Sequence, residues 1–283
     1  MRLGQITWNG LATAAVFTDA KARPIPGFSL YELLCSAERE GEPLDALASR
    51  LASETEVAAA PLIPIHPPEV WGCGCTYESS AAFRDAEHGT REGFYAQVYR
   101  DPRPEVFFKG TARVCVGPGE AIGIRSDSEF TAPEPELAVL LGSQGRVIGY
   151  TLANDVSAWD IERQNPLYLT QSKIYRGACA VGPVFVTPDE LGDLRALQMT
   201  CKIERGGRTL FSGAVGIDKL GRSIETLIDY LLRCNPAPAG TVLLTGTGII
   251  ATQEAALAPG DIVSIAIPQI GELRNPAVVV STV

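Results

Sequence analysis

Glu134 and Glu136 have the most chemically suggestive spacing in the chain, within the run Phe130-Thr-Ala-Pro-Glu-Pro-Glu-Leu-Ala-Val-Leu-Leu141. On an extended backbone, positions i and i+2 point to the same face. Pro133 and Pro135 favour that backbone, and the apolar run after Glu136 anchors it in a core. Carboxylates held side by side repel, so one takes a proton or a cation sits between them. A hard divalent cation such as Mg²⁺ suits an all-oxygen donor set; a solvated acidic turn is the plainer alternative. A third carboxylate, Asp155, ends the strand-like run Gly149-Tyr-Thr-Leu-Ala-Asn-Asp155, where it would face a ligand crevice. Asp160 and Glu162 follow beside Arg163 and read as a surface ion-pair cluster. Lys173 comes next. Three carboxylates around a divalent ion leave one negative charge, which a lysine would balance while also holding an anionic substrate.

The elements that must position these groups are mostly strands. Gly and Pro are spread along the chain rather than gathered in a linker, as in folds with many short strands and turns. Residues 3–8 and 11–17 read as a hairpin across Asn9-Gly10. Helices are expected over 29–40 and 44–53, then an extended Pro-rich connector over 58–68. Beyond it, strands are expected over 70–75, 106–109, 137–141, 147–152, 184–187, 197–203, 242–245, 261–267 and 277–280. A tight turn at Arg205-Gly-Gly-Arg208 joins two more strand segments. Residues 78–87 read as a helix, and Ile224, Leu227, Ile228 and Leu231 mark an amphipathic one capped by Ser223. The expected fold class is α+β, with a small N-terminal α+β domain over residues 1–65 and a β-rich catalytic domain over 66–283.

Composition narrows the function. The chain has 283 residues, 24 basic and 33 acidic, for a formal net charge of −9. That balance argues against nucleic acid and against anionic membranes as partners. No apolar run approaches the roughly 18 residues of a spanning helix, and the first residues lack the apolar segment of a secretory signal. Seven scattered cysteines without such a signal suggest reduced thiols in the cytoplasm. Cys73-Gly-Cys75 is too tight for a zinc knuckle and reads as core residues on a strand.

In combination these motifs are specific. Pro133-Glu-Pro-Glu-Leu-Ala-Val, Gly149-Tyr-Thr-Leu-Ala-Asn-Asp155, Lys173, Gly182-Pro183, Leu244-Thr-Gly-Thr-Gly248, Leu257-Ala-Pro-Gly-Asp261 and Ile270-Gly-Glu-Leu-Arg-Asn-Pro276 together resemble the fumarylacetoacetate hydrolase family over about residues 70–283. The resemblance implies a β-rich roll and a Mg²⁺ or Mn²⁺ ion held by Glu134, Glu136 and Asp155. It also implies an active-site Lys173, and a Thr247 that contacts the substrate carboxylate. Homo-oligomers are common in the family. Hydrolytic members place a water-activating histidine three residues after the tyrosine matching Tyr77, and an acidic partner three further on; here those positions hold Ser80 and Phe83. Of the two histidines, His66 lies in the connector and His88 is wrongly spaced.

Instead, Tyr99-Arg-Asp-Pro-Arg-Pro-Glu-Val-Phe-Phe-Lys-Gly-Thr111 and Asn165-Pro-Leu-Tyr-Leu169 resemble the branch that dehydrates 2-keto-3-deoxy sugar acids. That branch implies an acid/base role for Glu105, whose plainer reading is a surface residue at a strand start. Lys109, four residues on and so on the same face, would help hold the substrate. Arg84 would contact a distal substrate group, or is simply exposed. The chemistry implied is chelation of a 2-oxo acid, removal of a C3 proton to give an enolate, and loss of the C4 hydroxyl. The alternatives are C–C hydrolysis of an acylpyruvate or fumarylacetoacetate-like diketo acid, oxaloacetate decarboxylation, and a binding module that has lost activity.

Overall fold

Strand Pro135–Leu141 is buried at every position, which requires both faces of its sheet to be covered. The computed structural model, which describes residues 1–18, 21–87 and 93–281, supplies both covers. Leu137, Val139 and Leu141 pack with Met199, Cys201, Ile203, Val263 and Ile265 of a second sheet. Ala138 and Leu140 pack with Leu30, Leu33, Leu34, Leu44 and Leu47 of helices Leu30–Glu40 and Leu44–Leu51. The result is three layers: helices, a large sheet and a smaller sheet.

The large sheet has 11 strands. Its centre runs Arg2–Trp8, Cys179–Val186, Val147–Asp155, Pro135–Leu141, Val242–Leu244, Val70–Gly74, Glu105–Gly110. The second sheet runs Arg208–Gly216, Gln198–Arg205, Ile262–Ile267, Gly271–Val280, Ile122–Arg125. Asn9 and Gly10 both take positive φ, at 50° and 79°, as the two-residue turn of the first hairpin requires. Ser29 caps the helix Leu30–Glu40 in a reciprocal box with Glu32, and Ser223 caps Ile224–Leu232. Among the described residues, no helix is long and apolar enough to cross a membrane.

The expected boundary between residues 65 and 66 does not divide two sheets. Arg2 and Leu3 pair with Val186 and Phe185, so the N-terminal hairpin extends the large sheet. The Pro-rich segment is not a free linker either. Leu62 N–H donates to the Gln5 carbonyl (2.9 Å), the Gln5 side chain donates to the Ile63 carbonyl (2.8 Å), and Ile65 is fully buried. Prolines straighten that segment, but its extended backbone lies against the first strand. The N-terminal strands are thus part of the large sheet.

Two strands exceed their expected spans, and three short helices were not expected. Cys179–Val186 is one strand although Gly182-Pro183 interrupts its pattern; a register shift between Tyr150 and Leu152 on the neighbouring strand absorbs the irregularity. Gly271–Val280 is likewise continuous through Pro276. The short helices Phe94–Arg100, Trp159–Gln164 and Leu169–Lys173 carry no sequence signal of their own length.

Candidate active site

The ladder between Pro135–Leu141 and Val147–Asp155 builds the carboxylate cluster. Glu136 stands opposite Ala153, and Asp155 N–H donates to the Glu134 carbonyl (2.9 Å). Glu134, Glu136 and Asp155 therefore project to one face, with the small Ala153 leaving room between them. All three are buried, and their oxygens lie within 4.8 Å of one another.

Fixed donors hold each carboxylate. The Gly246 N–H, in the Thr-Gly-Thr-Gly loop after strand Val242–Leu244, donates to Glu136 Oε2 (2.5 Å). Trp159 Nε1 and Lys173 Nζ both donate to Glu134 Oε1, at 2.7 and 2.9 Å. Lys173 also reaches Asp155 Oδ2 (3.1 Å) and Ser157 Oγ (2.7 Å). Burial pushes the Glu136 carboxyl well above the usual range, and the nearby Asp155 and Glu134 charges add to this. Burial acts the same way on Glu134, but Lys173 and Arg84 outweigh it and hold that group at about 2. The Lys173 ammonium, despite its burial, is held above its ordinary value by Asp155 and Glu134.

The donor set fits a divalent cation. Glu105, Glu134, Glu136, Asp155 and Glu162 are five carboxylates gathered around Arg84, Lys109 and Lys173. That leaves two negative charges, which one Mg²⁺ cancels. Three buried carboxylates that can each offer an oxygen within 4.8 Å of the others make the all-oxygen donor set a hard ion prefers.

Arg84 is not an exposed arginine. It is buried on helix Glu78–Glu87, with Nη1 3.2 Å from Glu162 and Nη2 3.6 Å from Glu134. Glu162 is likewise buried, which corrects its reading as part of a surface cluster. Asp160 differs: it accepts from Ser128 Oγ (2.6 Å) and Glu129 N–H (2.8 Å) at the rim.

Glu105 opens strand Glu105–Gly110, directly opposite Gly74. A Cβ at residue 74 would lie 1.9 Å from Glu105 Oε2, so the missing side chain is what lets the carboxylate cross the neighbouring strand. Phe107 lies over Gly72 in the same way, its ring 5.4 Å from Lys173 Nζ. Burial raises the Glu105 carboxyl above its ordinary value; Arg84 pulls it down and Glu162 pushes it up. Glu105 and Glu162 share a cavity of about 380 Å³ with Phe94, Tyr95, Val98 and Leu169. A larger cavity, about 640 Å³, lies elsewhere, around Arg195, Asp218 and Arg222.

Lys109 and Thr247, the two residues expected to contact substrate, both have partners within the protein. The ladder slips between Val70 and Trp71 and leaves Lys109 unpaired in a bulge, and its side chain turns to the face of Glu105 and Phe107, towards Asp155 and Lys173. Its ammonium is fully buried against Asp155 Oδ1 (2.5 Å) and the carbonyls of Val156 (3.1 Å) and Lys173 (2.5 Å). Two hydrogen bonds to carbonyls and an ion pair to Asp155 fix the ammonium beside that carboxylate. The Thr247 hydroxyl donates to the Ile249 carbonyl (3.1 Å) and accepts from the Ile249 N–H (3.2 Å). Thr247 thus shapes the loop that holds Glu136.

At the positions of the hydrolytic pair, Ser80 is buried and Phe83 packs on Trp159 with ring centroids 5.3 Å apart. The acidic partner is thus replaced by an apolar support for the tryptophan that holds Glu134. His88 lies outside the described residues. Sequence reasoning missed the roles of Glu162 and Trp159; the one signal was their i, i+3 spacing just beyond Asp155.

Comparison with known proteins agrees with this geometry. Residues 70–279 match the model of the fumarylacetoacetate (FAA) hydrolase C-terminal family. A 2-dehydro-3-deoxy-D-arabinonate dehydratase of Saccharolobus solfataricus is 52% identical over 216 residues, 75% of this chain and 72% of that protein. A solved structure of 2-keto-3-deoxy-D-arabinonate dehydratase complexed with magnesium and 2,5-dioxopentanoate superposes with a TM-score of 0.83 at 40% identity, covering all of both chains. More distantly, a mitochondrial oxaloacetate tautomerase of Xenopus laevis is 30% identical over 193 residues, 62% of this chain and 59% of that protein. On the extent of the family match and the similarity to these dehydratases, the chain belongs to the fumarylacetoacetate hydrolase family.

Proposed function

We propose that the protein is a Mg²⁺-dependent dehydratase of a 2-keto-3-deoxy sugar acid of the pentonate type. The observation that carries this reading is the pairing of a buried three-carboxylate site with Glu105, in a chain 52% identical to a dehydratase of that class. The magnesium and 2,5-dioxopentanoate of the similar solved structure support the cofactor and the product class.

Glu134, Glu136 and Asp155 would hold the ion, which when bound supplies a Lewis acid for the 2-oxo acid end of the substrate. Trp159 and Lys173 orient Glu134, and Lys109 orients Asp155. Lys173 also brings a positive charge next to the site, where it would stabilise charge developing on the 2-keto oxygen. Glu105 would take the C3 proton; its raised pKa makes it a stronger base than an exposed glutamate and a competent donor to the departing C4 hydroxyl. Overall, one C–H bond and one C–O bond break, and the proton and hydroxide leave as water. The unsaturated acid then tautomerises to a dioxo acid. Ser80 offers no base for water activation, because a serine hydroxyl without a basic partner does not take a proton near neutral pH.

The seven free cysteines support a reducing compartment, the cytoplasm. The exposed Leu11 and Leu167 support a homo-oligomer, which sedimentation would test.

The test is a substrate panel of 2-keto-3-deoxy acids and acylpyruvates, with and without Mg²⁺. The expected result is metal-dependent consumption of a 2-keto-3-deoxypentonate that His88→Ala leaves nearly unchanged. Preference for acylpyruvates, abolished by His88→Ala, would establish the hydrolase instead.

A further inference from the structure

Glu162 takes no part in the proton transfers above, yet it is a glutamate at 3% exposure beside the site. Charged groups at such depth are almost always paired at every lone pair. Glu162 is only half paired. Its Oε1 lies 3.2 Å from Arg84 Nη1. Its Oε2 is buried with no hydrogen-bond partner among the described residues. The carboxylate lines the same cavity of about 380 Å³ as Glu105.

The position of Glu162 is well determined. Helix Trp159–Gln164 begins four residues after Asp155, and Trp159, three residues before Glu162, donates to Glu134. The Arg84 guanidinium bridges Glu134 and Glu162. One guanidinium thus separates the carboxylate cluster from Glu162, a span within reach of a five-carbon chain chelated at its 2-oxo acid end. The cavity walls mix the apolar Phe94, Val98 and Leu169 and the Tyr95 ring with the charged Asp101 and Arg103. Glu162 Oε2, buried and without a hydrogen-bond partner among the described residues, is a polar group beside the place where the far end of the substrate would lie. The ion pair with Arg84 leaves the carboxylate an acceptor, so its complement is a hydroxyl donor.

We infer that Glu162 is a specificity-determining residue whose free Oε2 accepts a hydrogen bond from the terminal C5 hydroxyl of the 2-keto-3-deoxypentonate. This deepens the dehydratase reading and rests on it. A site built to bond a substrate hydroxyl discriminates strongly against the analogue that lacks it, because its own buried group is then left unpaired. Glu162 would thus select acids that carry a hydroxymethyl group beyond C4 over acids that end in a methyl group.

The test compares the wild-type enzyme with Glu162→Gln on two substrates, a 2-keto-3-deoxypentonate and 4-hydroxy-2-oxopentanoate, the same chain without the C5 hydroxyl. Both lose the C4 hydroxyl in the same elimination, so kcat/KM is comparable between them. The wild type is expected to favour the hydroxylated acid by at least about 10-fold, the low end for a hydrogen bond to a charged group. Glu162→Gln is expected to lose about 10–100-fold on that acid, mostly in KM, and to change little on the methyl-ended one. Equal losses on both substrates, or no loss on either, would overturn the inference and leave Glu162 a support for Arg84. If the glutamine variant does not fold, equal kcat/KM of the wild type for the two acids overturns the inference and a clear preference for the hydroxylated one supports it. If the wild type turns over neither acid, the dehydratase reading fails and the inference with it; turnover of both without coupling to Glu162 fails the inference alone.

Discussion

In the proposed mechanism Glu105 and Glu136 carry the chemistry at the scale of single residues, and each has a distinct expected signature. Glu105→Gln removes a positioned base and is expected to lower activity on the 2-keto-3-deoxy acid by about 10²–10⁴-fold while Mg²⁺ still binds, as read by calorimetry. The ionised form of Glu105 is the base, and burial raises its pKa. The acidic limb of the kcat/KM profile is therefore expected above the ordinary range of glutamate, with activity rising as pH increases through it and the limb gone in the Gln variant. An unchanged profile in Glu105→Gln would assign the proton transfer elsewhere. Glu136→Ala leaves two carboxylates and is expected to abolish activity that excess Mg²⁺ does not restore; recovery at high Mg²⁺ would make Glu136 a modest contributor to affinity. The clustering of Glu134, Glu136 and Asp155 was legible in the sequence because strand alternation is local. Arg84 and Glu162 were not: charged residues default to the surface, and only the docking of helix Glu78–Glu87 onto helix Trp159–Gln164 buries this pair.

Strands and their glycines set the geometry at the next scale up. Gly72 and Gly74 read in the sequence only as part of a strand, yet they are the floor over which Phe107 and Glu105 lie. Gly74→Ala places a methyl group where the Glu105 carboxylate sits. Displacing a catalytic group by about 1 Å costs on the order of 10²-fold. Activity is expected to fall by about that much with little change in circular dichroism, and near-full activity would show that Glu105 is not held by this crossing. The alternation rule placed Lys109 on the face of Glu105, but its burial against Asp155 depends on the neighbouring strand and cannot be read from one alone. The strand Cys179–Val186 was underestimated for a related reason: a proline reads as a break until a neighbouring register shift absorbs it.

Across the whole molecule, the large sheet joins the N-terminal segment to the rest. The turn at Asn9-Gly10 and the capping box at Ser29 were legible because each depends on neighbours in sequence. The pairing of Arg2 and Leu3 with Val186 and Phe185 was not, since nothing in the first ten residues identifies a partner some 180 positions away. Deleting residues 1–65 would uncover Ala138, Leu140, Val181 and Phe185 as well as a sheet edge. The shortened chain is expected to be insoluble, and the full chain to melt in a single transition. Two separate transitions, or a soluble and active 66–283 fragment, would establish the two-domain division.

All three scales converge on one reaction, so its product is the most direct test. Mass spectrometry of a 2-keto-3-deoxypentonate incubated with the protein and Mg²⁺ is expected to show a five-carbon dioxo acid, the substrate less one water, that chelation of Mg²⁺ prevents from forming. An unconsumed sugar acid, together with an acylpyruvate that gains water and splits into two acids, would contradict the account.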